Sequence, residues 1–160
     1  MDDINIILKA FSRAIFCKVL AIRNTFQDNR FRVRIMESIT MDIRKYSDLI
    51  PVSVSVAANN KAKEMGIDLK QKRWQDQNKF DKGRKTFQLE HFRTVKEIRQ
   101  KCIEANNEEE VEILLRVEPK VVWILKDEDE RLSRLGYRSN RPNPQLAYEA
   151  AGIVIIDVGL

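Results

Sequence analysis

The run Val121-Val-Trp-Ile-Leu125 is the strongest strand signal in the chain, five apolar residues in a row rich in β-branched side chains. Lys126-Asp-Glu-Asp-Glu-Arg follows at once, with acids where the first turn of a helix favours them, and Gly136 stops that helix. A second junction of the same kind lies upstream. Phe87, Leu89 and Phe92 give a short, partly buried strand whose alternation breaks at Glu90-His91. Thr94-Val-Lys-Glu97 then supplies a capping box for a helix. Two strand-to-helix junctions among helical sequence predict an α+β fold, a mostly helical N-terminal half followed by a small sheet.

The periodicity along the rest of the chain agrees. Ile4, Leu8, Phe11, Ile15, Val19 and Ile22 form one stripe of a helix over residues 3–23. Residues 31–35 alternate as a strand would, but Ile35, Ile39, Ile43, Tyr46 and Ile50 extend a helical pattern, so a helix is expected over about 30–49. Pro51 is read as opening a further helix that Gly66 ends. Helices are expected at 95–105, at 108–116 behind an Asn106 or Asn107 cap, and at 145–151, with a last strand at 153–158. The whole is expected to be a single domain: a helical part at 1–66, a basic loop at 67–85, and a core at 86–160.

The chain has 160 residues, enough for one domain with a proper core. Lys9, Arg13 and Lys18 interrupt the first apolar helix, and no cleavage site follows a clean apolar core. Neither a membrane span nor a signal peptide is therefore expected, and a cytoplasmic protein is the default. Cys17 and Cys102 form no CxxC pair and are expected as two buried thiols. No GxGxxG or GxxxxGK[ST] motif supports a nucleotide-phosphate loop.

Net charge is +5, and residues 61–88 alone hold nine Lys and Arg against four Asp and Glu. Within them Lys70, Lys72, Arg73, Arg84 and Lys85 interleave with Trp74 and Phe80, charge for phosphates and rings for bases. Arg138 and Arg141, in the turn-rich segment after Gly136, are further candidate phosphate clamps. Each feature has a plainer reading: a solvated basic face, and aromatics that pin a long loop to the core.

His91 is the sole histidine, preceded by a carboxylate and flanked by Arg84 and Arg93. If the two strands pair, the acids opening the second helix come beside it. A carboxylate from each piece, Glu90 and one of Asp127 to Glu130, could then hold Mg²⁺ or Mn²⁺, hard cations that prefer oxygen ligands. His91 could act as general base near neutrality, and Arg93 could stabilise charge on phosphorus. The plainer reading makes His91 a hydrogen-bonded residue and the acids partners of a helix dipole.

These residues carry a resemblance. The strand ending in Glu90-His91, the intervening helices, Val121–Leu125 with its acidic helix start, and Tyr148-Glu-Ala-Ala-Gly-Ile153 look like the ββα-metal (HNH-type) nucleases over residues 80–155. The resemblance implies a metal-dependent DNA endonuclease with Glu90 as acidic ligand, His91 as base and Asp129, with Glu128 as a substitute, as the ligand on the helix. The chain departs from that pattern in having no second histidine on the helix, no clear asparagine to orient the first, and a long helical insertion between the strands.

Three further readings stand beside it. Glu118-Pro-Lys120 offers an acid-x-Lys triplet of the PD-(D/E)xK kind, with Pro119 ill suited to a central strand. A non-catalytic nucleic-acid-binding or regulatory protein would use the same basic loop with a structural His91. An interaction module would lay the apolar stripe of residues 3–23 on a partner. The partner expected is DNA, with no membrane, and a homodimer would fit a palindromic target.

Overall fold

The computed structural model describes residues 3–24 and 29–156. In chain order their elements are α1 Asp3–Asn24, α2 Asn29–Ser47, β1 Val52–Ser55, α3 Val56–Glu64, the single turn α4 Gln77–Phe80, β2 Phe87–His91, α5 Val95–Glu104, α6 Glu108–Val117, β3 Val121–Leu125, α7 Lys126–Arg134, α8 Pro144–Ala150 and β4 Ile155–Ile156. The α+β class and the helical N-terminal half are as expected. The chain groups into two units, Met1–Leu49 with Val95–Pro119 and Ile50–Thr94 with Lys120–Leu160. That grouping cuts across the partition at 66 and 85 expected from composition.

The first unit is all helical. α1 buries Leu8, Ser12, Ile15, Val19 and Ile22, a spacing of three and four that gives one apolar face. Ser12 fits on that face because its hydroxyl donates to the Leu8 carbonyl at 2.8 Å. α2 contributes Ile39, Ile43 and Tyr46, with the Tyr46 ring tilted against Phe11 at 5.7 Å. Asn107 caps α6 by accepting from the Glu110 N–H at 2.9 Å, and Arg23 donates to the carbonyls of Ile103 and Ala105 at the end of α5. Cys102 is buried, which pushes its thiol up to about 12. Cys17 is exposed instead, since it lies away from the buried stripe of α1.

The second unit is built on a four-stranded sheet of order β2-β3-β1-β4. β1 runs parallel to β3, with Val54 opposite Trp123, while β2 is antiparallel to β3, with Phe87 opposite Leu125 and His91 opposite Val121. On one face Val54, Phe87 and Trp123 pack with Ala58, Ala62 and Leu69, and Phe80 closes the edge. On the other, Val122 and Ile124 meet Leu132 of α7 and Ala147 and Tyr148 of α8. A strand covered on both faces has no side for polar residues, which is why β3 reads as an unbroken apolar run.

β1 corrects the sequence reading. Pro51 opens no helix; Val52-Ser-Val-Ser55 pairs with β3, and α3 begins only at Val56 with Ser55 as its cap. The alternation of valine and serine was the available signal, and four residues are too few to outweigh a proline followed by helix formers. The segment at 67–85 is not one open loop either, since short 3₁₀ turns at Leu69–Gln71, Trp74–Asp76 and Lys82–Arg84 surround α4. β4 falls within the strand expected at 153–158, whose last two positions lie outside the described residues. Among the described residues no helix is long and apolar enough to cross a membrane.

Candidate functional site

Two charged clusters form in the sheet-containing unit, one on each side of the sheet. The first lies at the end of β2. Successive side chains of a strand point to opposite faces, so Glu90 and His91 separate. Glu90 pairs across the ladder with Val122 and joins the α7–α8 side. His91 follows the parity of Phe87 and Leu89, which pack on the Trp123 side.

Arg141 organises the Glu90 side. It is 1 % exposed, and its guanidinium donates in three directions. Nε donates to the Tyr137 carbonyl at 2.6 Å, Nη1 to the His91 carbonyl at 2.6 Å, and Nη2 to Glu90 Oε1 at 2.9 Å. An arginine so enclosed cannot also clamp a phosphate, which corrects its assignment as a nucleic-acid contact. Its role is to tie the turn after Gly136 to the end of β2. Arg93, expected as a catalytic residue, donates to the Pro142 carbonyl at 3.2 Å and so braces the same turn. Arg138 is exposed.

Burial raises the Glu90 carboxyl above the usual range; Arg141 opposes the rise and the Asp129 charge adds to it. α7, whose first turn carries Asp129, packs against β2, which carries Glu90. Glu128 is committed elsewhere. Its Oε2 accepts from Ser55 Oγ at 2.6 Å and from the Leu125 N–H at 2.8 Å, in a buried link between β1 and the start of α7. Tyr148 shares this side, its ring 4.8 Å from Phe92, and among the described residues its buried hydroxyl has no hydrogen-bond partner. Burial pushes that hydroxyl well above its ordinary range.

These donors do not fit a shared divalent cation. Glu90 is held by a guanidinium, Glu128 by two donors, and the His91 side chain follows the other face. Among the described residues no group of three or more His, Cys, Asp or Glu side chains could hold a metal ion. The set Glu90, Asp129 and His91 therefore does not come together as one centre.

The second cluster is the turn over residues 69–85. Seven basic and two acidic residues give it a balance of +5. Its geometry is held from beneath. Asp81 is buried and accepts N–H groups of Lys85, Thr86 and Phe87 at 3.0–3.2 Å, together with the Gln77 amide at 3.1 Å. Burial acts to raise the Asp81 carboxyl, but the hydrogen bonds outweigh it and hold the group below the usual carboxylate range. Leu69 is buried, Phe80 meets Trp123 edge-on at 5.8 Å, and the Trp123 indole N–H donates to the Lys72 carbonyl at 3.3 Å.

What this frame presents outward is Trp74. The residue is 45 % exposed, with the Arg84 guanidinium 4.2 Å over its ring. Arg84 reaches that position from a left-handed backbone, φ +52°, next to Gly83 at φ +73°. Lys70, Arg73 and Lys85 are exposed, while Lys72 is half-buried with its ammonium 5.8 Å from the Phe80 ring. Of the two aromatics in the turn, Phe80 is the anchor and Trp74 is not. The sequence marks a turn at Asp81-Lys-Gly83, but not that Asp81 is the buried acceptor at its centre. Comparison of the chain with protein-family models, curated proteins and solved structures gave no match, so the ββα-metal resemblance rests on the residues of this chain alone.

Proposed function

We propose that this protein binds nucleic acid through the turn at 69–85. The observation that carries the reading is the exposed Trp74 ring under the Arg84 guanidinium, set among lysines and arginines on a turn whose acids are already used. Asp81 is buried in backbone hydrogen bonds and Asp76 pairs with Lys79 at 2.6 Å, while Lys70, Lys82 and Lys85 are exposed on the same turn. Such a surface gains affinity by releasing counterions from phosphates, and binding then falls steeply with salt.

Charge reversal tests it. Lys82 and Lys85 are exposed and do not hold the turn through their side chains. The double variant K82E/K85E is expected to weaken DNA and RNA binding about tenfold or more at low salt and to flatten the salt dependence. Unchanged affinity and slope would move the contact away from this turn.

Phosphodiester hydrolysis, the activity implied by the resemblance, is a second reading favoured by one observation, the packing of α7, whose first turn carries Asp129, against β2, which carries Glu90. Plasmid nicking in Mg²⁺, in Mn²⁺ and in chelator, beside H91A, decides it. Metal-dependent nicking lost in H91A would support the enzyme; binding without nicking in any condition would leave the binding protein.

A further inference from the structure

We propose that Trp74 is a stacking platform for an unpaired base and Arg84 its clamp, so that this turn takes single-stranded nucleic acid in preference to duplex. The inference rests on the nucleic-acid reading of the same turn and adds the substrate form.

Packing does not account for Trp74. Leu69, Phe80, Asp81 and the Trp123 indole N–H already fix the turn to the sheet, and Phe80 buries its ring against Phe87 and Trp123. A large aromatic that served the core would pack its ring against core residues as the partly buried Phe80 does. Trp74 instead keeps 45 % of its surface open, with a cation 4.2 Å over its ring. The backbone points the same way. A left-handed conformation is disfavoured for any residue with a Cβ, and asparagine or glycine would adopt it at less cost than arginine. At Arg84 that conformation carries the guanidinium onto the indole.

A stacked indole and guanidinium offer flat π surface and positive charge together. Bases in a duplex have their faces occupied by neighbouring bases, so a duplex meets this surface only through phosphates. An unpaired base can slide onto the indole or between indole and guanidinium, while Lys70, Arg73, Lys82 and Lys85 of the same turn meet the flanking phosphates. Every base has such a face, so the preference is for strand form and only weakly for sequence.

The test uses the full chain with a fluorescently labelled oligothymidine and a mixed-sequence duplex of equal length, at low salt. The single strand is expected to bind more tightly. W74A should weaken single-strand binding about tenfold, the scale of one lost base stack, and leave duplex binding nearly unchanged. Intrinsic emission of the unaltered protein reports the same event without a mutation. Trp123, the other tryptophan, is fully buried, so quenching on addition of oligothymidine reads Trp74. Equal affinity for both forms, unaffected by W74A and without quenching, would overturn the stacking role and leave the phosphate-binding reading standing. Binding of neither form would overturn both.

Discussion

Arg141 and Arg84 stand in basic, turn-rich segments of the same unit, yet their guanidinium groups face opposite ways. Arg141 turns inward, fully enclosed, and joins three carbonyl and carboxylate partners. Arg84 turns outward over an exposed indole. The difference teaches where charge in this protein serves the fold and where it is left for a ligand. A buried guanidinium is kept in place by the acceptors it satisfies, and removing it strands them. A stacked surface cation holds little of the fold and is free to exchange one π partner for another.

The sharpest way to break this contrast is to remove each arginine in turn. R141M leaves the Glu90 carboxylate buried without its cation and is expected to destabilise the protein by about 3–5 kcal/mol in urea unfolding. R84A is expected to change stability by no more than about 0.5 kcal/mol in the same experiment. Similar losses for the two would erase the distinction between inward and outward charge.

Asp81 is the acidic counterpart of Arg141, a charge spent on backbone N–H groups. D81A should cost about 2–3 kcal/mol, because several buried donors lose their acceptor together. Its pH behaviour sharpens the comparison with Glu90. The folded Asp81 carboxyl is depressed, so its stabilisation is present above the ordinary carboxylate pKa and is lost as pH falls through the folded value. The folded Glu90 carboxyl is raised, so its contribution has the opposite sign, full below the ordinary value and lost as pH rises through the folded one. Stability measured against pH should therefore lose the Asp81 share of its acid-side fall in D81N and the Glu90 share of its decline above the ordinary glutamate range in E90Q. A D81N profile that matches the unaltered protein would show that Asp81 does not hold the turn as its hydrogen bonds indicate.

Ser55 tests the commitment of Glu128. Its hydroxyl donates to Glu128 and also accepts from the Ala58 N–H at 3.0 Å, so S55A removes a helix cap and a buried donor at once. A loss of about 1–2 kcal/mol is expected by thermal or urea unfolding. The smallest effect belongs to the outward arginine. R84N relieves the left-handed strain and should leave stability unchanged or raise it by about 0.5 kcal/mol, while single-strand affinity falls. A variant both less stable and equally tight in binding would place Arg84 among the fold's own supports.

Much of the fold was legible from periodicity. The stripe on α1, the Asn107 cap of α6 and the run of β3 are each local patterns whose physics acts within a few residues. β1 was not legible, because Val52–Ser55 becomes a strand only through pairing with a partner almost seventy positions downstream in sequence. The candidate site divides in the same way. The basic, aromatic character of residues 69–85 stood in the composition, whereas the separation of Glu90 from His91 followed from strand alternation once β2 extended through both. No local rule marked Arg141 for burial, and its neighbours Asn140 and Pro142 read as surface turn.

By itself the sequence determined most of the helices, the faces they bury and the segment that carries the excess positive charge, though not the start of α3 behind β1. Those properties arise from backbone propensity, capping and the spacing of apolar side chains, all within one or two turns of the chain. Only the tertiary structure decided which charges are used and which are offered. Whether a guanidinium meets carbonyls or an aromatic ring depends on what the fold brings to it, Glu90 and His91 to Arg141, Trp74 to Arg84. Burial and hydrogen-bond partnership are properties of the assembled surroundings, and no single stretch of sequence contains them.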